Sequence, residues 1–241
     1  MKFKDFQPDY HNIVDAARNI QPKRLPIYEH LISDDMMERI MGKSFSQLLG
    51  GDEKDINEYY RNYCEFFKLM GYDTVSFESC IMTIMPGNGC LMHQQDSAIK
   101  TRSDFEKYPW DEVVDIYKKI SKPRLDALRA NMPAGMKGIG GAGNGVFECI
   151  QDIIGYTALC YMKADDPELY ADLFKKIGDI SAEIWSWIIK EYDDVFCVYR
   201  FGDDLGFRSA PLIPARDIRN HVIPQYKRII DMAHAAGKPF L

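Results

Sequence analysis

Seven residues, Val195-Phe196-Cys197-Val198-Tyr199-Arg200-Phe201, form the clearest strand signal in the chain, and a long helical pattern lies on each side of them. Upstream, Leu169, Leu173, Ile177, Ile180, Ile184 and Ile188 keep helical spacing. That helix opens at Asp165-Asp166-Pro167-Glu168, which supplies a cap, a first-turn proline and an acid near the positive end of the helix dipole. Downstream, a helix is predicted from about Ala215 to Ala236 with Gly237 as its stop, and Lys238-Pro239-Phe240-Leu241 begins another apolar run. Strands alternating with helices in this way specify an α/β fold with a mostly parallel sheet.

The same alternation extends towards the N-terminus. Strand signals fall at Thr74–Phe77, at Ile81–Met85 before the turn Pro86-Gly87-Asn88-Gly89, and at Met136–Gly141. The last runs into Gly140-Gly141-Ala142-Gly143-Asn144-Gly145, and a helix is predicted from Val146 to Met162. With 195–201 and the start at 239–241, these are five strand candidates. Residues 96–131 read as helical, with a capping box at Ser103 and Glu106 and a second helix beginning at Pro123. Earlier, Asp34-Asp35 caps a short helix (Met36–Met41) ended by Gly42, and an aromatic-rich helix runs from Asp55 to Met70, closed by Gly71. No repeat, linker or charge block divides the chain. It reads as one domain over 1–241, with 1–70 as a helical N-terminal extension of it.

Composition narrows the partners. The 36 acidic and 30 basic side chains leave a net charge of −6, which supplies no basic face for nucleic acid or an anionic membrane surface. No apolar run long enough to span a bilayer occurs, and Met1-Lys2-Phe3-Lys4-Asp5 does not open a signal peptide. Cys64, Cys80, Cys90, Cys149, Cys160 and Cys197 form no Cys-x-x-Cys pair and no disulfide framework, so the chain is expected to be cytoplasmic.

In parallel α/β folds ligands bind beyond the carboxyl ends of strands. There Gly202-Asp203-Asp204-Leu205-Gly206 follows the best strand directly. Asp203 and Asp204 can hold a substrate or act as general acid and base. In the plainer reading, one caps a turn or helix and the other is solvated. Arg200 and Arg208 bracket the pair as ligands or salt-bridge partners. Glu78 ends an earlier strand, and Gly143, Asn144 and Glu148 lie in or just after the glycine-rich segment, whose glycines let the backbone pass close to a ligand or simply turn. That segment has neither Gly-x-Gly-x-x-Gly nor a P-loop lysine, which disfavours a doubly wound nucleotide-binding protein. Cys90-x-x-His93 is half a metal-binding pattern with no second half, and His30, His221 and His234 are isolated.

The block Gly202-Asp203-Asp204-Leu205-Gly206-Phe207-Arg208-Ser209, with Pro211-Leu212-Ile213 and Ile223-Pro224-Gln225-Tyr226-Lys227-Arg228-Ile229-Ile230, resembles the uroporphyrinogen decarboxylase superfamily. Phe77-Glu78-Ser79, Met85-Pro86-Gly87 and Gly140-Gly141-Ala142-Gly143 follow the same order of elements. The resemblance implies a (β/α)8 TIM-type barrel with its site at the carboxyl ends of the strands. Because the family continues through further strands, about five of the eight are expected here, in a chain that stops within the barrel.

The superfamily includes both the decarboxylases and corrinoid:coenzyme M-type methyltransferases. The decarboxylases carry an N-terminal Arg-Gln-Ala-Gly-Arg stretch, where this chain has Arg24-Leu25-Pro26-Ile27-Tyr28-Glu29-His30. The methyltransferases bind zinc through His-x-Cys and a distant Cys, positions that would follow Leu241, so no metal ligand is assigned within the chain. The resemblance therefore implies an enzyme leaning to corrinoid-dependent methyl transfer. Asp203, Asp204 and Glu78 would be its catalytic residues, and Gly143, Asn144, Glu148, Arg200 and Arg208 would bind substrate. The substrate implied is a tetrapyrrole or a methyl group borne on a corrinoid protein, with a homodimer left open. The alternatives are authentic uroporphyrinogen decarboxylation, and an inactive partial barrel serving as a binding or assembly piece.

Overall fold

In a computed structural model, which describes residues 5–241, three short parallel strands carry the site: β1 (Thr74–Glu78), β2 (Lys137–Gly141) and β3 (Phe196–Tyr199), in the order β1-β2-β3. Thr74 to Glu78 pair in step with Lys137 to Gly141. On the other side of β2 the register slips between Gly138 and Ile139. Beyond β3, Tyr199 forms a parallel bridge with Phe240: its N–H donates to Pro239 at 3.0 Å, and the Leu241 N–H donates to Tyr199 at 2.9 Å.

Helices α1 (His11–Ala17), α2 (Asp34–Met41) and α3 (Glu53–Leu69) precede β1. Between β1 and β2 lie α4 (Arg102–Lys107) and α5 (Trp110–Asn131). From β2 to β3 run α6 (Val146–Ile154), α7 (Tyr156–Asp165) and α8 (Pro167–Tyr192). After β3 come α9 (Ala215–Asp217), a π-helical turn (Ile218–Val222) and α10 (Ile223–Ala235). The π turn has a local cause. Pro224 has no N–H to donate and its ring would crowd the carbonyl four residues back, so the ladder widens just before it.

The strand count differs from the sequence-based expectation. Ile81–Met85 is not a strand; Met82–Ile84 is a short 3-10 turn. Burial there falls on Ile81 and Met85 while Thr83 is exposed, which is helical spacing and not alternation. The predicted strand at 239–241 is a single bridge. The sheet is therefore open and three-stranded among the described residues, not a closed barrel and not five strands.

Several helix boundaries also move. Ser33, not the aspartates after it, caps α2, accepting from Met36 N–H at 3.4 Å. The capping box at α4 is Thr101 with Asp104, not Ser103 with Glu106. α5 runs straight through Pro123, because its face packs on α3 and tertiary burial outweighs one lost hydrogen bond. The helix predicted over Val146–Met162 breaks at Gly155, whose φ of +83° breaks the helical path.

The main core lies on one face of the sheet, where Phe77, Phe196 and Tyr199 meet Phe147 and Trp185 from the helices. The opposite face, with Ile139, Cys197 and Val198, is covered by Ile13 of α1. Full burial of side chains of this size contributes about 1.5–3 kcal/mol each.

Candidate functional site

β1 and β3 end on the same side of the sheet, and each delivers a charged residue there: Glu78 closes β1, and Arg200 follows β3. Between them β2 ends in Gly140-Gly141, which places no side chain in the gap. Their φ values of +136° and +140° suit only glycine, and a Cβ on Gly140 would overlap the Phe77 carbonyl oxygen. Arg200 accordingly reaches across to donate to Glu78 Oε1. Its Nη1 also donates to His30 Nδ1 at 2.6 Å, and that nitrogen lies 3.3 Å from the same Glu78 oxygen. Because the guanidinium has only donors, neutral His30 accepts at Nδ1 and keeps its proton on Nε2.

The electrostatics follow from burial. Desolvation raises the Glu78 carboxyl to about 7; Arg200 pulls it down and Glu148 adds to the rise. Desolvation, then the Arg200 charge, hold His30 below its ordinary value. Burial pushes the Cys80 thiol up to about 11, so it is protonated at neutral pH and no ready nucleophile.

Glu78, His30 and Cys80 open onto a cavity of about 430 Å³, lined by β1, α3, α5 and the 144–148 segment. The Gly143 backbone packs on Glu78; a Cβ there would sit 3.1 Å from its Oε2 and 3.0 Å from Cys80 Sγ. Asn144 follows with φ +66°, a strained conformation for a residue with a side chain. Its Nδ2 donates to Glu148 Oε2 at 2.9 Å, while its Oδ1 is buried with no partner among the described residues. An orphan acceptor on a cavity wall is a place for a ligand donor.

The aspartate pair is divided. Asp203 accepts from the N–H groups of Phe147 at 2.9 Å and Glu148 at 2.8 Å and from the Tyr226 hydroxyl, so it caps α6 from a neighbouring loop. Burial raises its carboxyl to about 6 against those three donors. Gly145 allows the approach, since a Cβ there would overlap the Asp203 carboxylate. Asp204 and Arg208 are exposed and form no hydrogen bond or ion pair among the described residues. Glu78, Gly143, Asn144, Glu148 and Arg200 are thus brought together, with Asp203 supporting them from behind and Asp204 and Arg208 outside.

Three cavity residues carried no functional signal in the sequence. His30 is far along the chain from Glu78 and Arg200, and Tyr60 and Arg124 sit inside ordinary helical patterns. Only the fold brings them together. Arg24, in place of the decarboxylase arginines, is tied to buried Asp73 just before β1, at the opposite end of that strand from Glu78. Cys90 is buried, with its N–H bonded to Asp152 at 2.8 Å. Among the described residues no three His, Cys, Asp or Glu side chains converge to hold a metal ion. The residues present do not form the zinc site that the resemblance implies. No helix among them is long and apolar enough to cross a membrane.

No protein-family model matches the sequence, and no curated protein matches it. A solved structure of a methyltransferase from Methanosarcina mazei is similar, with a TM-score of 0.69 over 97% of this chain and 69% of that one, at 10% sequence identity. The chain therefore has a methyltransferase-like α/β fold.

Proposed function

We propose that the chain belongs to the methyltransferase side of the uroporphyrinogen decarboxylase superfamily and that the cavity beyond β1 and β3 holds the methyl acceptor. The observation that carries this reading is the meeting of Glu78, Arg200 and His30 beside the unpartnered Asn144 Oδ1, at the strand ends where such folds bind ligands. The fold likeness to a methyltransferase supports it.

An acceptor thiol or hydroxyl loses a proton when it is methylated. Glu78, held near neutrality, takes that proton, and Arg200 stabilises the carboxylate before the transfer. Asn144 Oδ1 orients the acceptor by accepting a hydrogen bond from a donor on it other than the S–H or O–H whose proton goes to Glu78. The methyl donor, a methyl-corrinoid carried by another protein, gives up the methyl group and keeps the bonding electron pair, so no external oxidant or reductant is required.

The test is turnover of methylcobalamin with a panel of small thiols, followed by the visible absorbance of the corrinoid. The wild-type chain is expected to demethylate it with at least one thiol, and Glu78→Gln to slow this by about a hundredfold or more. No turnover with any thiol, or full activity of Glu78→Gln, would overturn the reading.

A further inference from the structure

A proton taken up by Glu78 has to leave again before the next turnover. The Glu78 and Arg200 side chains are only 17% and 18% exposed, and a ligand in the cavity covers the carboxyl on that side. The His30 side chain is 47% exposed, and its Nδ1 lies 3.3 Å from Glu78 Oε1. Arg200 and His30 both reach this carboxyl with nitrogen atoms, but a guanidinium has donors only and cannot take a proton. A neutral imidazole can.

The ring is also held where a carrier is needed. It follows two fixed points on its own segment: Arg24 is tied to Asp73, and the Glu29 carbonyl accepts from Ser76 Oγ. Arg200 Nη1 donates both to His30 Nδ1 and to Glu78 Oε1, so it keeps the carboxylate as a partner when the ring lets go. Burial and the Arg200 charge both disfavour the imidazolium, so a proton reaching the ring is passed on and not stored. The other titratable groups here are Tyr28, whose phenol burial raises further above neutrality, and Glu148, whose charge acts on Glu78.

We infer that His30 relays the Glu78 proton to solvent: the carboxyl O–H bond breaks as a bond from that proton to His30 Nδ1 forms, and the ring then gives its Nε2 proton to water or buffer. Glu78 is left as a carboxylate paired with Arg200, ready for the next acceptor. Proton exchange with water afterwards returns the ring proton to Nε2 and frees Nδ1. The relay rests on the reading of Glu78 as the base in methyl transfer.

Chemical rescue tests it. Methylcobalamin turnover is followed with the most active thiol of the panel, in weak buffer and then with added imidazole. In weak buffer His30→Ala is expected to lower kcat about tenfold or more, with KM for the thiol unchanged. Free imidazole should restore most of that rate and leave the wild-type rate as it was. His30→Asn keeps an acceptor for Arg200 but cannot carry a proton, so it should be as slow as His30→Ala. His234→Ala, which alters an exposed histidine of α10, should match the wild type. Circular dichroism and the melting temperature show whether each variant is folded. Full kcat in weak buffer for a folded His30 variant, or a loss that imidazole leaves untouched, overturns the relay while methyl transfer stands. A normal rate in His30→Asn alone also overturns it, because His30 then only positions Arg200. No wild-type turnover with any thiol overturns both readings, since no proton then needs carrying.

Discussion

At the scale of single residues, Glu78 links stability to pH in a way that separates it from an ordinary surface carboxylate. Its folded value, about 7, lies above the ordinary 4.5, so the folded chain holds this proton more tightly than the unfolded chain. The stabilisation is therefore full below about pH 4.5 and is lost as pH rises towards 7. The loss is on the order of 2–3 kcal/mol. Asp203, raised to about 6, acts in the same sense between its ordinary value and that point. His30 acts in the opposite sense, because a histidine held below its ordinary value loses stability as pH falls through that range. Urea melts at a series of pH values should show Glu78→Gln losing most of the decline above pH 6, while the part due to Asp203 persists below it. An unchanged profile would mean that Glu78 is ionised across the whole range. If Glu78 is the proton acceptor proposed above, the wild-type rate should also rise with pH through about 7.

At the scale of elements, two contacts decide whether the strand ends face one another. The first is the cap on α6: replacing Asp203 with Ala leaves two helix N–H groups and the Tyr226 hydroxyl without their acceptor. It should lower stability by about 1–3 kcal/mol, read from the urea midpoint, and loosen the 144–148 wall of the cavity. The second is Gly140. Gly140→Ala forces a side chain into a conformation and a space that exclude it, and should cost about 3 kcal/mol or more. A neutral result in the same melts would show that β1 and β2 can move apart. The sequence made some of this legible. Gly42 and Gly71 end their helices as their spacing implies, and Asp166 caps α8 by accepting from Leu169 N–H at 2.8 Å. It hid what depends on tertiary contact. Ile81–Met85 has strand composition but buries its ends like a helical turn, and Pro123 looks like a helix start until α3 packs alongside α5. The aspartates at 203 and 204 look equivalent in sequence; only the approach of α6 separates the cap from the solvated residue.

At the scale of the whole molecule, β-α-β order was readable from periodicity, whereas the cavity was not, because its walls come from residues as distant as His30, Tyr60, Arg124, Asn144 and Gly202, with Arg200 behind them bonded to His30. Those walls keep their places only while β3 is held on both sides. One side is β2; the other is the last stretch of chain, where Phe240 bridges Tyr199 and packs on Trp185 at 5.5 Å and Phe201 at 5.1 Å. Lys238 reinforces it, donating to the carbonyls of Asp193 at 2.9 Å and Phe196 at 2.8 Å. Phe240→Ala removes the aromatic packing and leaves the Lys238 contacts in place. Because Phe240 is only partly buried, the expected cost is near the low end for an aromatic truncation, about 2–3 kcal/mol. Its effect should be directional. Amide exchange should quicken at Tyr199, whose N–H is bonded to Pro239, and ligand binding should weaken through Arg200, the next residue. Amides of β1 and β2, held by each other and by the core on α3 and α5, should exchange only as fast as the lower global stability allows. Uniform acceleration across all three strands would instead mean that the sheet opens as one unit, and that the edge beside Tyr199 has no separate hold on the site.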